Sequence, residues 1–144
     1  MIESDTIKLL RECDAGVKMG VDSINEVYDY AASERLKDAL NKCKDEHIKL
    51  TSEIEKRLIE FRDDGKEPNP IAKGMSRMKT EVKLRFNESD STIADLMTDG
   101  CNMGIKSLSK YLNEYKAADE VSKDITKRLI KIEETLARDV REFL

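Results

Sequence analysis

Gly16-Val17-Lys18-Met19-Gly20-Val21-Asp22-Ser23-Ile24 recurs as Gly100-Cys101-Asn102-Met103-Gly104-Ile105-Lys106-Ser107-Leu108, with Gly, Met, Gly and Ser in the same places and most apolar positions kept apolar. Gly20 precedes Gly104 by 84 residues, as Gly16 precedes Gly100. Each copy runs into a Tyr-containing stretch, a polar Ala-rich break and a second segment of heptad-like apolar spacing. The repeating unit therefore reads as a helical hairpin. Two hairpins make a four-helix bundle.

Around this repeat the apolar spacing alternates threes and fours. The first helix carries Ile7, Leu10, Cys13, Val17, Val21, Ile24, Val27 and Ala31, capped by Ser4 or Asp5. The second carries Leu36, Leu40, Cys43, His47, Leu50, Ile54, Leu58 and Phe61, with Ser33 as its cap and Gly65 as the left-handed residue that closes it. Ser89 to Ser91 start the third long helix, with Ile93, Met97, Cys101, Gly104, Leu108 and Leu112. The fourth follows Ala117 to Asp119 and presents Val121, Ile125, Leu129, Ile132, Leu136, Val140 and Phe143 to the C-terminus. Between the hairpins, Asn69-Pro70 is a cap followed by proline at the first helical position, and Ile71, Met75, Met78, Val82 and Phe86 follow at helical spacing.

The fold class expected is all-α: one domain over residues 1–144, with hairpin 1 at 4–64, a crossover containing a short extra helix at 65–89, and hairpin 2 at 90–144. A helix of ~26 residues is roughly 39 Å long at 1.5 Å per residue, so a partly helical link can return the chain to the other end of the bundle. Tight hairpins joined by a long crossover are the connectivity of ferritin-like bundles rather than of simple up-and-down ones.

Composition agrees. Charged residues make up 39% and aromatics 5%, with 6 Gly and 2 Pro in 144 residues, which suits solvated helices and leaves little for a sheet. The net charge of −4 without a dense basic block argues against nucleic acid or an anionic membrane as partner. No apolar run reaches the length of a membrane span, and Met1-Ile2-Glu3-Ser4-Asp5 lacks the features of a signal peptide, so a cytoplasmic protein is expected. Cys13, Cys43 and Cys101 are expected as reduced thiols, since their spacing fits neither a metal finger nor a redox motif.

Cys13-Asp14-Ala15-Gly16, Gly65-Lys66-Glu67-Pro68 with Gly74, and Asp99-Gly100 with Tyr111 to Tyr115 together resemble the ferritin-like domain-of-unknown-function family of small bacterial four-helix-bundle proteins. The resemblance extends over nearly the whole chain, through spacing and a few small residues. It implies a ferritin-like fold and no established activity.

A di-iron carboxylate site in such a bundle needs a Glu from each of two helices and Glu-x-x-His from each of the others. Here His47 is the single histidine, with Lys44 three residues before it, and Glu133 is followed by Leu136. No metal, cofactor or catalytic set is therefore expected, and the weak metal candidates are His47, Glu46, Asp14, Asp99 and Glu133. His47 reads as a neutral core residue with a lowered pKa, and its counterpart in the second hairpin, at an offset near 85, is the apolar Ile132. Cys43, one turn away, reads as its neighbour in the core. Gly16, Gly20, Gly100 and Gly104 each cost about 1 kcal/mol in a helix interior, which points to close packing of the first and third long helices or to a mid-bundle pocket walled by Met19 and Met103. The functional expectation is a non-enzymatic homodimer or protein-binding bundle, for which the Met75, Met78, Val82, Phe86 stripe offers a contact surface. The alternative is a degenerate ferritin-like binder of a metal or small molecule.

Overall fold

Among the described residues five α-helices and a short 3-10 turn follow one another: α1 Asp5–Tyr28, α2 Glu34–Glu60, α3 Pro70–Phe86, α4 Asp90–Glu114, α5 Glu120–Asp139 and the turn Arg141–Phe143. The computed structural model describes residues 4–144, except the side chains of Met78, Val82, Arg85 and Phe86. The expectation placed on Met1-Ile2-Glu3 lies outside the described residues. Among those described there is no strand, and no helix is long and apolar enough to cross a membrane.

The caps explain where the helices start. The Ser4 hydroxyl accepts from the Ile7 amide, Asn69 accepts from Ile71 and Ala72 ahead of Pro70, Ser89 from Thr92, and Asp119 from Ser122. Each satisfies amides that have no partner within the helix. Ser33 occupies the cap position of α2, but its side chain makes no capping bond. Instead the amides of Ala32 and Ser33 donate to the Asp90 carboxylate at 2.8 and 3.0 Å, tying the α1–α2 turn to the start of α4.

Two terminations differ from the sequence reading. The left-handed residue directly after α2 is Arg62, at φ 55°, with the amides of Arg62 and Asp63 bonded back to Ile59 and Leu58. Those two bonds satisfy the last carbonyls of the helix. Gly65, at φ 81°, takes its left-handed conformation within the loop that follows. At the other end of the chain, α5 stops at Asp139 and the remainder winds into the 3-10 turn.

Contacts between the ends fix the directions. Arg11, near the start of α1, donates to Asp63 just beyond α2, so these helices are antiparallel. The Ala117 and Asp119 amides reach Asp5 and Thr6, so the α4–α5 turn lies at the start of α1. α4 therefore runs against α1, and α5 runs with it. α3 travels the length of the bundle between the end of α2 and the start of α4, lying on α1 and α4. The four long helices neighbour one another in the ring α1, α2, α5, α4, with α1 and α5 also touching across it.

Their apolar faces form two buried clusters. One gathers Ile24, Val27, Leu36, Leu40, Cys43, Ile93, Met97, Cys101, Leu136 and Val140 near the α1–α2 turn. The other gathers Leu10, Cys13, Val17, Leu50, Ile54, Leu58, Leu108, Ile125 and Leu129 near the opposite end. Val121, expected in the core stripe, is 49% exposed, and Ser122 is buried in its place because it follows the capping Asp119 on the inward face.

The crossover helix turns an unexpected side inward. Ile71 and Met75 are 74% and 68% exposed, whereas Thr80 and Leu84 are buried. At about 100° per residue, Thr80 lies on the opposite side of the helix from Ile71, so part of the apolar stripe read from the sequence faces solvent. The side chains of Met78, Val82 and Phe86 lie outside those described.

Candidate functional site

Between the two clusters lies a polar layer to which each long helix contributes one residue: Gly20 from α1, His47 from α2, Gly104 from α4 and Glu133 from α5. His47 follows Leu40 and Cys43 and precedes Leu50 and Ile54 on the buried line of α2, and it is 1% exposed. Glu133 stands between Leu129 and Leu136, which belong to different clusters. His47 Nε2 and Glu133 Oε1 meet at 2.9 Å.

The other ring nitrogen, Nδ1, is 2.8 Å from the Cys43 carbonyl oxygen, and the Cys43 Sγ lies at 3.5 Å. A carbonyl and a carboxylate only accept, so both ring nitrogens are placed to donate, and that is the imidazolium form. Burial opposes the charge, but the hydrogen bonds to Cys43 and Glu133 and the charge of the Glu133 carboxylate outweigh it, and the His47 pKa is pushed up to about 10. The expectation of a neutral ring with a lowered pKa is corrected here. Burial alone would lower it, and the sequence did not reveal the carboxylate that reverses the sign.

Burial disfavours the thiolate form of both thiols near the pair. Burial, foremost, pushes both the Cys43 and Cys101 thiols up from their ordinary value, and for Cys101 the nearby Glu133 carboxylate adds to this. A thiol held protonated lacks the reactive form. Cys13, near the other end of the bundle, hydrogen-bonds Thr126 at 3.1 Å and is pushed up to about 12, chiefly by burial. All three cysteines are free and buried.

The repeated glycines divide by what surrounds them. A Cβ at Gly20 would stand 2.5 Å from His47 Nε2, so the ring occupies that space. At Gly104 the nearest atoms belong to Glu133, at 3.6 Å, and at Gly16 the nearest is Leu129 Cδ2, at 3.7 Å. Gly100 faces open space. The nearest neighbours thus come from α2 and α5, where the sequence reading had the first and third long helices meeting. Met103 is 70% exposed and walls no interior pocket, and Met19 is half-buried.

The remaining metal candidates are dispersed. Asp14, 3% exposed, accepts from the Lys66 amide and from Lys18 Nζ, both at 2.9 Å, and so binds the loop after α2 to α1. Glu46 pairs with Lys49, and Asp99 with Lys79. Among the described residues no group of three or more His, Cys, Asp or Glu side chains is gathered as a metal ion would need. A shallow depression between α1 and α2, lined by Ile24, Tyr28, Asn41 and Lys44, contains none of the candidates.

Comparisons with protein-family models, with curated proteins and with solved structures find no match to this chain.

Proposed function

We propose that the chain is a ferritin-like bundle of two repeated hairpins, cytoplasmic and non-enzymatic, that works through protein contacts as a homodimer. The observation that carries this reading is an exposed apolar ridge on α3 and α4. Lys83 pairs with Asp95 and Lys79 with Asp99, so one further four-residue step along the two antiparallel helices brings Met75 level with Met103. Both methionines and Ile71 stand in solvent. Methionine adapts its shape to a partner, and a patch of this kind on a soluble helix favours association. The charges of Lys79, Lys83, Asp95 and Asp99 beside the ridge pair within the chain, which lowers the like-charge repulsion between two copies related by a twofold axis. Light scattering and sedimentation of the wild type and of Met75→Glu with Met103→Glu test the reading: a dimer that the double change converts to a folded monomer supports it, and a wild type that stays monomeric up to high concentration refutes it.

The second reading is a degenerate ferritin-like metal or small-molecule binder, and the meeting of His47 with Glu133 at mid-bundle is what favours it. Elemental analysis of protein purified without chelator separates the two.

A further inference from the structure

Among the described residues four ion pairs fasten α3 to its neighbours, and in each the cation belongs to α3. Lys73 and Arg77 reach Asp22 and Glu26 on α1 at 2.8 and 3.0 Å. Lys79 and Lys83 reach Asp99 and Asp95 on α4 at 3.3 and 2.7 Å. The two rows run along opposite flanks of the helix with Thr80 and Leu84 between them, and of the six charged residues in 70–86 five are cationic. Leu84 is the one described α3 residue in either buried cluster. The rest of both clusters comes from the four long helices and the segments flanking them, so among the described residues α3 adds little to the buried apolar core.

We infer that α3 is an electrostatically held strap: a basic helix clamped in the acidic groove between α1 and α4, which lifts away as a unit when its ion pairs are screened while the four long helices stay folded. Exposed ion pairs are individually weak and sensitive to salt, whereas the apolar contacts that hold α2 and α5 are not weakened by it. A segment with few buried apolar contacts opens locally before the whole molecule does. The loop of residues 61–69 before α3 gives it room to move. Lifting the strap uncovers Asp22, Glu26, Asp95 and Asp99 along one groove. The inference shares the Lys79–Asp99 and Lys83–Asp95 pairs with the dimer reading, but exchange within α3 tests the strap and the oligomeric state tests the dimer, so either can fail alone.

Hydrogen exchange of the full chain, resolved by peptide, tests it between about 20 mM and about 1 M KCl, over which the screening length falls from roughly 20 Å to 3 Å. Amides of 70–86 should exchange about tenfold faster at the high-salt end, with those of α2 and α5 unchanged. Lys79→Glu with Lys83→Glu should give the fast exchange already at low salt, and adding Asp95→Lys with Asp99→Lys should restore protection. Protection of α3 that is indifferent to salt, or that is lost in step with α2 and α5, overturns the inference. Should the reversed variant fail to fold, the wild-type salt series decides alone.

Discussion

The imidazole of His47 fills the space that Gly20 leaves by having no side chain, with Nε2 only 2.5 Å from where a Cβ would stand. The ring cannot retreat cheaply, since it is buried and bonded at both nitrogens. Gly20→Ala should therefore destabilise the fold by about 1–3 kcal/mol through overpacking, despite the ~1 kcal/mol that alanine gains in helix propensity. Gly100→Ala meets nothing within 4 Å and should stabilise by up to ~1 kcal/mol. Urea midpoints of the two single variants give the contrast. Equal effects in the same direction would show that the ring yields, and that the glycine is not kept for it.

The ion pair calls for a double-mutant cycle. His47→Leu leaves the Glu133 carboxylate, only 12% exposed, without its partner, and Glu133→Leu strands the imidazolium. Each single change should cost about 3–5 kcal/mol, whereas the double change to leucine should be within about 2 kcal/mol of the wild type, because a buried pair costs nearly as much to desolvate as it returns in attraction. Additive losses would mean that the two side chains act independently.

Much of this arrangement could be read from the chain before its structure. Ser4, Asn69, Ser89 and Asp119 announce helix starts through their own chemistry, and the three-and-four spacing places His47 on a buried line. What the spacing does not carry is register between helices. An offset of 85, close to the 84 of the glycines, makes Ile132 the counterpart of His47, whereas the residue that meets the ring is Glu133, 86 positions on. One residue turns a helix by about 100°, enough to exchange an apolar position for a carboxylate. The inward side of α3 is illegible for a different reason: Lys73, Arg77, Lys79 and Lys83 pair with carboxylates on α1 and α4 that are distant in sequence, and Ile71 and Met75 are left in solvent.

Asp14 and Gly65 form a second coupled pair. The carboxylate receives the Lys66 amide and Lys18, and a Cβ on Gly65 would collide with Asp14 Oδ2. Asp14→Ala should cost about 1–3 kcal/mol through the loss of charge-assisted bonds in a buried position. Gly65→Ala should cost about 1–2 kcal/mol from its positive φ, with the collision added. In the double variant the collision is absent, so the combined loss should fall short of the sum, as chemical denaturation of all four proteins would reveal. A strictly additive result would remove the contact from the account.

The pH dependence separates the charged His47 described here from a neutral one. Its folded pKa, about 10, lies above the unfolded value of 6.5, so the folded state binds the proton more tightly. The stabilisation is then fully present below ~6.5 and is lost as pH rises through the window up to the folded value. The wild-type urea midpoint should fall between about pH 7 and pH 10 more steeply than that of the His47→Leu, Glu133→Leu variant, which retains every other titrating group. Above about pH 8.5 the buried thiols add to that slope in both proteins, because the unfolded chain releases their protons there while burial holds Cys13, Cys43 and Cys101 protonated in the folded one; the variant keeps all three, so the comparison cancels their share. Nitrogen chemical shifts of the imidazole should show both ring nitrogens protonated at pH 7.5. A neutral tautomer at that pH, with a wild-type midpoint that falls on acidification toward pH 5 relative to the variant, would mean that burial outweighs Glu133 and that the polar layer holds an uncharged hydrogen bond.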